Sequence, residues 1–274
     1  MKATQKSAAE MIHPFFREKK LFLFDLDGVI WRGQRLILGA LYVLNTLIIN
    51  QKFIAYITNN STKTIDQYLR KMRGFHIQTT KEQIFTSAYA TAELLRRWKM
   101  KTAFVVGGDG IRDALQQSGL EICSPSSGPV DVVVVGMDIS FTYATLQTAI
   151  RAILGGAVFV GSNPDTTFPA EDGTSPGAGT MIAAISAGVG SPPKVIVGKP
   201  NPEMLLQAMR RFRVSSNETV MIGDRLSTDI ASGINAGVAT VRVQTGVRDF
   251  SESISSDLEI ESIRDILVRK ASET

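Results

Sequence analysis

The sequence predicts an α/β fold built on parallel sheets, on two observations. Short apolar runs recur along the chain, and segments with helical periodicity separate them. The runs have β-branched or aromatic cores flanked by Gly or polar turns, as strands covered on both faces do. Strand and helix in alternation argue for parallel sheets with helices on both sides.

In chain order the expected strands are LFLFDLD (21–27), KFIAYIT (52–58), TAFVVGG (102–108), DVVVVGM (131–137), AVFVGS (157–162), KVIVG (194–198), TVMIGD (219–224) and ATVRVQ (239–244). Amphipathic segments fall at 62–73, 81–98, 142–154, 201–212 and 227–236. Residues 1–18 carry helical periodicity and two aromatics, and are expected to pack on the core. Turn residues are densest at 123–131 and 161–180. The second stretch is long enough to predict a functional loop or an interdomain hinge. There is no internal repeat and no low-complexity tract.

Composition narrows the class. The chain has 274 residues, room for roughly two domains of about 100–200 residues each. It is 44% hydrophobic and 20% charged, as an ordinary globular protein is. The net charge of +4 is compatible with an anionic substrate, without the Lys/Arg clustering of a nucleic-acid binder. One cysteine, Cys123, excludes an internal disulfide and a cysteine metal cluster, and two distant histidines, His13 and His76, argue against a histidine-rich zinc site. The first twenty residues lack an apolar core of the signal-peptide kind, and no run reaches the roughly 18 residues of a membrane span. The expected setting is a reducing cytoplasm, with no membrane and no nucleic-acid partner.

Four expected strands end in residues suited to one chemistry. The first ends at Asp25-Leu26-Asp27-Gly28, the second at Thr58-Asn59-Asn60. The third runs into Lys199-Pro200, and the fourth into Asp224, with Asp229 five residues on. In parallel sheets ligands bind beyond the carboxyl ends of the strands. Converging carboxylates repel unless a divalent cation neutralises them, and all-oxygen ligands suit Mg²⁺. A hydroxyl, an amide and an ammonium beside them are what a phosphoryl group needs, since its transfer is mostly positioning and charge neutralisation. Each motif alone has a plainer reading as a turn, a helix cap or a surface lysine. Their joint, ordered occurrence favours the functional one.

The set Asp25-x-Asp27-Gly28, Thr58-Asn59-Asn60, Lys199-Pro200 and Gly223-Asp224 with Asp229 resembles the four motifs of the haloacid dehalogenase superfamily. DLDGVIWRG, YITNNSTKT, SNPDTTFPAEDGTSPGAGT, VGKPNPEM and MIGDRLSTDIASGINAGVATVRVQTGV resemble its NagD-like, 4-nitrophenylphosphatase branch. The resemblance implies a Rossmann-like parallel-sheet core of the haloacid dehalogenase type with a large inserted α/β cap domain. It also implies a Mg²⁺-dependent phosphatase of small phosphomonoesters, working through an aspartyl-phosphate. Asp25 is then the nucleophile and Asp27 the acid that protonates the leaving group and later activates water. Asp25, the main-chain carbonyl of Asp27 and Asp224 hold the metal, and Asp229 orients Lys199 or a metal-bound water. Thr58, Asn59 and Asn60 bind phosphate, Lys199 neutralises its charge, and Gly28 allows the close turn after the acids.

The interval from Thr58 to Lys199, about 140 residues, exceeds one crossover connection and requires an inserted domain. That domain is placed at 83–172, with the core at 1–82 and 173–274. A large cap implies a small phosphorylated metabolite, of the sugar phosphate, glycerol phosphate, phosphoglycolate, nucleotide or pyridoxal phosphate classes. A homodimer through the cap is compatible with the resemblance, although no residue argues it independently. Because phosphomutases keep both aspartates, a phosphotransferase reading stays open, as does a non-catalytic phosphate-binding protein. VVGGDGIRDAL (105–115) departs from G-x-G-x-x-G and reads as strand, turn and helix of the cap. Cys123 reads as an incidental thiol and His76 as a residue of a helix exit turn. Trp31 and Arg32 either border the pocket mouth or cover the sheet edge.

Overall fold

A computed structural model describes residues 10–124, 128–170, 173–247 and 253–269. The chain divides into two compact units, Met1–Ala55 with Met209–Thr274, and Tyr56–Ala208. Both are mixed α/β with parallel sheets.

In the first unit the strands lie in the order Leu258–Ile260, Ala239–Val243, Thr219–Gly223, Leu21–Phe24, all parallel. Every residue of Leu21–Phe24 and Thr219–Gly223 is buried, which is why these runs show no polar alternation. Ile222 pairs with Phe24, so the two strands end side by side and the chain leaves them at Asp25 and Asp224. Helix Ala40–Ile49 buries Ala40, Val43, Leu44 and Leu47, a helical stripe at spacings of three and four. The described part of the N-terminal segment is not helical in the expected way. Glu10–Ile12 is a strand paired antiparallel with Leu267–Arg269, and Pro14–Phe16 is a single 3₁₀ turn whose Phe16 is buried.

In the second unit five parallel strands run in the order Val195–Ile196, Val158–Gly161, Val132–Val135, Thr102–Val106, Glu121–Ile122. Val106, Val133, Val135, Phe159, Ile182 and Ile185 pack together in its core. Strand Thr102–Val106 turns directly into helix Asp109–Gln117, the strand, turn and helix expected there. Strand Phe53–Thr58 crosses the division after Ala55, and its second-unit part pairs parallel with Ile84–Thr86.

All eight expected strands are present, shortened at their polar ends. Two expectations need correction. Residues 81–98 are not one helix: Lys81–Gln83 is a 3₁₀ turn, Ile84–Thr86 a strand, and the helix is Ser87–Arg97. Thr86 makes that boundary, since its side chain caps the helix by accepting from Tyr89 N–H at 3.1 Å. The 161–180 stretch, expected as a functional loop or an interdomain hinge, also carries regular structure. Thr167–Ala170 pairs antiparallel with Gly173–Pro176, and helix Ala178–Val189 follows at once. His76 does lie in the exit turn of helix Ile65–Gly74, its N–H bonded to Arg73 carbonyl at 2.9 Å. Among the described residues no helix is long and apolar enough to cross a membrane.

Candidate active site

Two groups of predicted residues are each brought together within one unit. In the first unit one carboxylate oxygen from each of Asp25, Asp224 and Asp229 lies within 4.8 Å of the others, and all three side chains are buried. Parallel pairing sets this up: Asp25 N–H donates to Ile222 carbonyl at 2.9 Å, tying the end of one strand to its neighbour. Asp229 arrives from a wide π turn over Leu226–Ile230, in which Ile230 N–H reaches back to Arg225 carbonyl at 3.1 Å. Its Oδ2 accepts the N–H groups of Asp224 at 3.2 Å and Arg225 at 3.0 Å. Asp229 therefore holds the Asp224 main chain as well as joining the cluster.

Small residues make room for these acids. At Gly28 φ is +99°, and an added Cβ would stand 2.8 Å from Asp224 Oδ2. A Cβ on Gly246 would overlap the same carboxylate, and one on Gly223 would overlap Asp229. Val247 N–H donates to Asp224 Oδ2 at 2.6 Å. Three buried carboxylates this close repel one another, and a cation placed among them would offset that repulsion. The donor set is hard oxygen throughout, which fits a small divalent ion.

Asp27 stands apart from this cluster. Its side chain is exposed, and Trp31 Nε1–H donates to its Oδ1 at 2.9 Å. Trp31, read from sequence as a rim or edge residue, is completely buried. The signal was available in the four-residue spacing of DLDGVIW: a buried indole N–H needs an acceptor, and Asp27 is the acceptor at hand.

In the second unit Thr58, Asn59 and Asn60 meet the Lys199 loop. Lys199 is only 2% exposed. Its main-chain N–H donates to Asn59 Oδ1 at 2.8 Å, and its carbonyl accepts from Asn59 Nδ2 at 3.0 Å. Nζ lies 3.4 Å from Ile57 carbonyl, and the Lys199–Pro200 peptide is cis. Asn59 carbonyl in turn accepts from Ser87 Oγ at 2.6 Å and Asn163 Nδ2 at 2.8 Å. Thr58 Oγ1 accepts the Asn60 N–H at 3.2 Å, which leaves its hydroxyl proton for another acceptor. Asn60 Oδ1 takes the N–H and hydroxyl of Thr62 at 2.9 and 2.7 Å. Ser87 and Asn163 escaped the sequence reading, because each lies where a helix start or a loop was the simplest account.

Comparison with known proteins identifies the family. A family model described as haloacid dehalogenase-like hydrolase matches residues 22–121, and a related hydrolase-like model matches residues 196–266. An acid sugar phosphatase of Staphylococcus epidermidis is 37% identical over 238 residues, 86% of this chain and 91% of that protein. The structure of a 4-nitrophenylphosphatase from Thermotoga maritima superposes with a TM-score of 0.86 at 30% identity, covering 93% of this chain and 98% of that one. A glycerol phosphate phosphatase from Mycobacterium tuberculosis, solved with magnesium, gives a TM-score of 0.86 at 27% identity over 93% of this chain and 78% of that one.

Proposed function

Because the chain belongs to the haloacid dehalogenase-like hydrolases, in their NagD-like branch, we propose that it hydrolyses small phosphomonoesters with Mg²⁺ through an aspartyl-phosphate on Asp25. The chain is a phosphatase of small phosphorylated substrates. The metal and the covalent route are the finer reading. The observation that carries it is the buried approach of Asp25, Asp224 and Asp229 at the ends of two adjacent parallel strands.

Asp25, Asp224 and the main-chain carbonyl of Asp27 would hold Mg²⁺, with Asp229 fixing the loop that presents Asp224. When bound, the ion supplies the positive charge that lets an anionic carboxylate approach an anionic phosphate. A carboxylate oxygen of Asp25 forms a bond to phosphorus as the bond to the ester oxygen breaks. The departing oxygen keeps the electron pair and takes the proton of Asp27. Water then attacks the same phosphorus and gives its proton back to Asp27. The Asp25–phosphorus bond breaks, releasing phosphate and restoring the carboxylate. Thr58 and Asn60 donate to phosphate oxygens, Lys199 neutralises their charge, and Asn59 holds the Lys199 loop in place.

Residues 83–172 are proposed as the inserted cap that selects a small metabolite, of the sugar phosphate, glycerol phosphate, phosphoglycolate, nucleotide or pyridoxal phosphate classes. A homodimer through that cap and a cytoplasmic setting, to which the lone Cys123 is suited, belong to the same reading. The test is phosphate release from a panel of these esters and 4-nitrophenyl phosphate, with Mg²⁺ and with a chelator. Metal-dependent release to water is expected. Transfer to a second metabolite would replace hydrolysis by phosphotransfer, and silence on every substrate with metal present would overturn the reading.

A further inference from the structure

We infer that Trp31 is a positioning residue for proton transfer, holding one oxygen of Asp27 through its indole N–H so that the other is presented to the reacting oxygen. The inference rests on the role proposed for Asp27 above. Asp27 is exposed, and among the described residues the indole is the one hydrogen-bond partner of its side chain. An exposed aspartate otherwise samples several rotamers, of which few aim a proton at a fixed point. The indole removes that freedom, because Trp31 itself cannot turn.

The rigidity of Trp31 has three sources. Its side chain is wholly buried. Its main chain is tied on both sides: Gly28 N–H donates to Trp31 carbonyl at 2.7 Å, and Trp31 N–H donates to Leu26 carbonyl at 3.1 Å. Trp31–Arg32 then pairs antiparallel with Arg35–Leu36. The same short loop thus carries the exposed acid and the buried donor that aims it. Oδ1 is taken by the indole at 2.9 Å, so Oδ2 is the oxygen presented to the reacting group. A core role alone accounts for the burial of the ring and predicts nothing about the leaving group. The two accounts therefore separate in kinetics.

Trp31→Phe keeps an aromatic ring and removes the N–H. It should be measured on glycerol phosphate, whose alkoxide needs a proton to leave, and on 4-nitrophenyl phosphate, whose phenolate does not. The ratio kcat/KM covers steps up to departure of the leaving group. Its expected loss is about tenfold or more on glycerol phosphate and under about threefold on 4-nitrophenyl phosphate. In an Asp27→Ala background the same change should add no further selectivity between the two substrates. If Trp31→Phe does not fold, replacing tryptophan by benzothienylalanine, with Trp98→Phe to confine the change to one position, keeps the bicyclic ring and gives the same readout. Equal loss on both substrates, or no loss on either, overturns the inference while leaving the phosphatase reading intact. Wild-type protein silent on these two and on every other ester of the panel, with metal present, takes the two down together.

Discussion

The side-chain amide of Asn59 grips the main chain of Lys199 at two points, accepting its N–H at 2.8 Å and donating to its carbonyl at 3.0 Å. The pair is 140 residues apart in sequence. Asn59 thereby fixes where the Lys199 loop begins, and the buried lysine inherits that position.

Asn59→Ala removes two buried hydrogen bonds from the main chain of Lys199. The expected cost is roughly 2–6 kcal/mol in unfolding free energy, at about 1–3 kcal/mol for each buried group that loses its bond to Asn59. If the clamp also sets the lysine, kcat/KM should fall by about ten- to a hundredfold in protein that is still folded. Urea denaturation and steady-state kinetics on the same preparation separate the two effects. Unchanged stability would show that the Lys199 loop does not depend on Asn59.

A pH effect is expected at the start of strand Val132–Val135. The Asp131 carboxylate accepts the N–H groups of Lys101 at 2.7 Å and Thr102 at 3.0 Å. The Lys101 N–H first, then that of Thr102, holds its pKa below the usual aspartate range. A lowered folded pKa gives stability that is present above the unfolded value and lost as pH falls through the folded one. Asp131→Ala should therefore cost about 1 kcal/mol at neutral pH. The gap to wild type should close below about pH 4, the unfolded aspartate range. Thermal melts across that window check it, and a gap that is constant with pH would assign the loss to packing.

What could be read from sequence followed from locality. Asp25, Thr58, Lys199 and Asp224 were visible because each sits within a few residues of a short apolar run, so a strand end and its charge are read together. The strand Ile84–Thr86 was hidden because Ile84 and Ala88, spaced by four, continue the helical pattern of the segment that follows. Helices Ala40–Ile49 and Ala178–Val189 are apolar around much of their circumference and give no clear amphipathic period. The pairing of Glu10–Ile12 with Leu267–Arg269, and the grip of Asn59 on Lys199, join distant parts of the chain. No window of sequence contains both partners. Asp229 lies five residues past the strand end, and a π turn brings it round to Asp224, a placement that no apolar run announces.

Gly28→Ala tests how tightly the acids are packed. Gly28 has φ +99°, costly for alanine, and the new Cβ would stand 2.8 Å from both Asp224 Oδ2 and Gly246 Cα. Backbone on one side cannot yield easily, so the Asp224 carboxylate must move. Activity at low Mg²⁺ should fall more than activity at high Mg²⁺, by roughly ten- to a hundredfold against wild type. A uniform loss at all metal concentrations would place the damage in the fold and not in the metal site.

The three buried carboxylates make stability itself a metal assay. Without a divalent ion their repulsion opposes folding, so Asp25→Asn and Asp224→Asn should each unfold in chelator at the same denaturant concentration as wild type or a higher one. Adding Mg²⁺ at a hundred times its dissociation constant should stabilise wild type by about 2.7 kcal/mol, and the variants by much less. Asp25→Asn should have no turnover at all, since an amide oxygen is too poor a nucleophile to form the phosphoryl intermediate. Calcium separates binding from chemistry. Its longer, looser coordination should still raise the melting temperature of wild type while inhibiting hydrolysis. A wild-type protein that neither ion stabilises would overturn the reading of this cluster as a metal site.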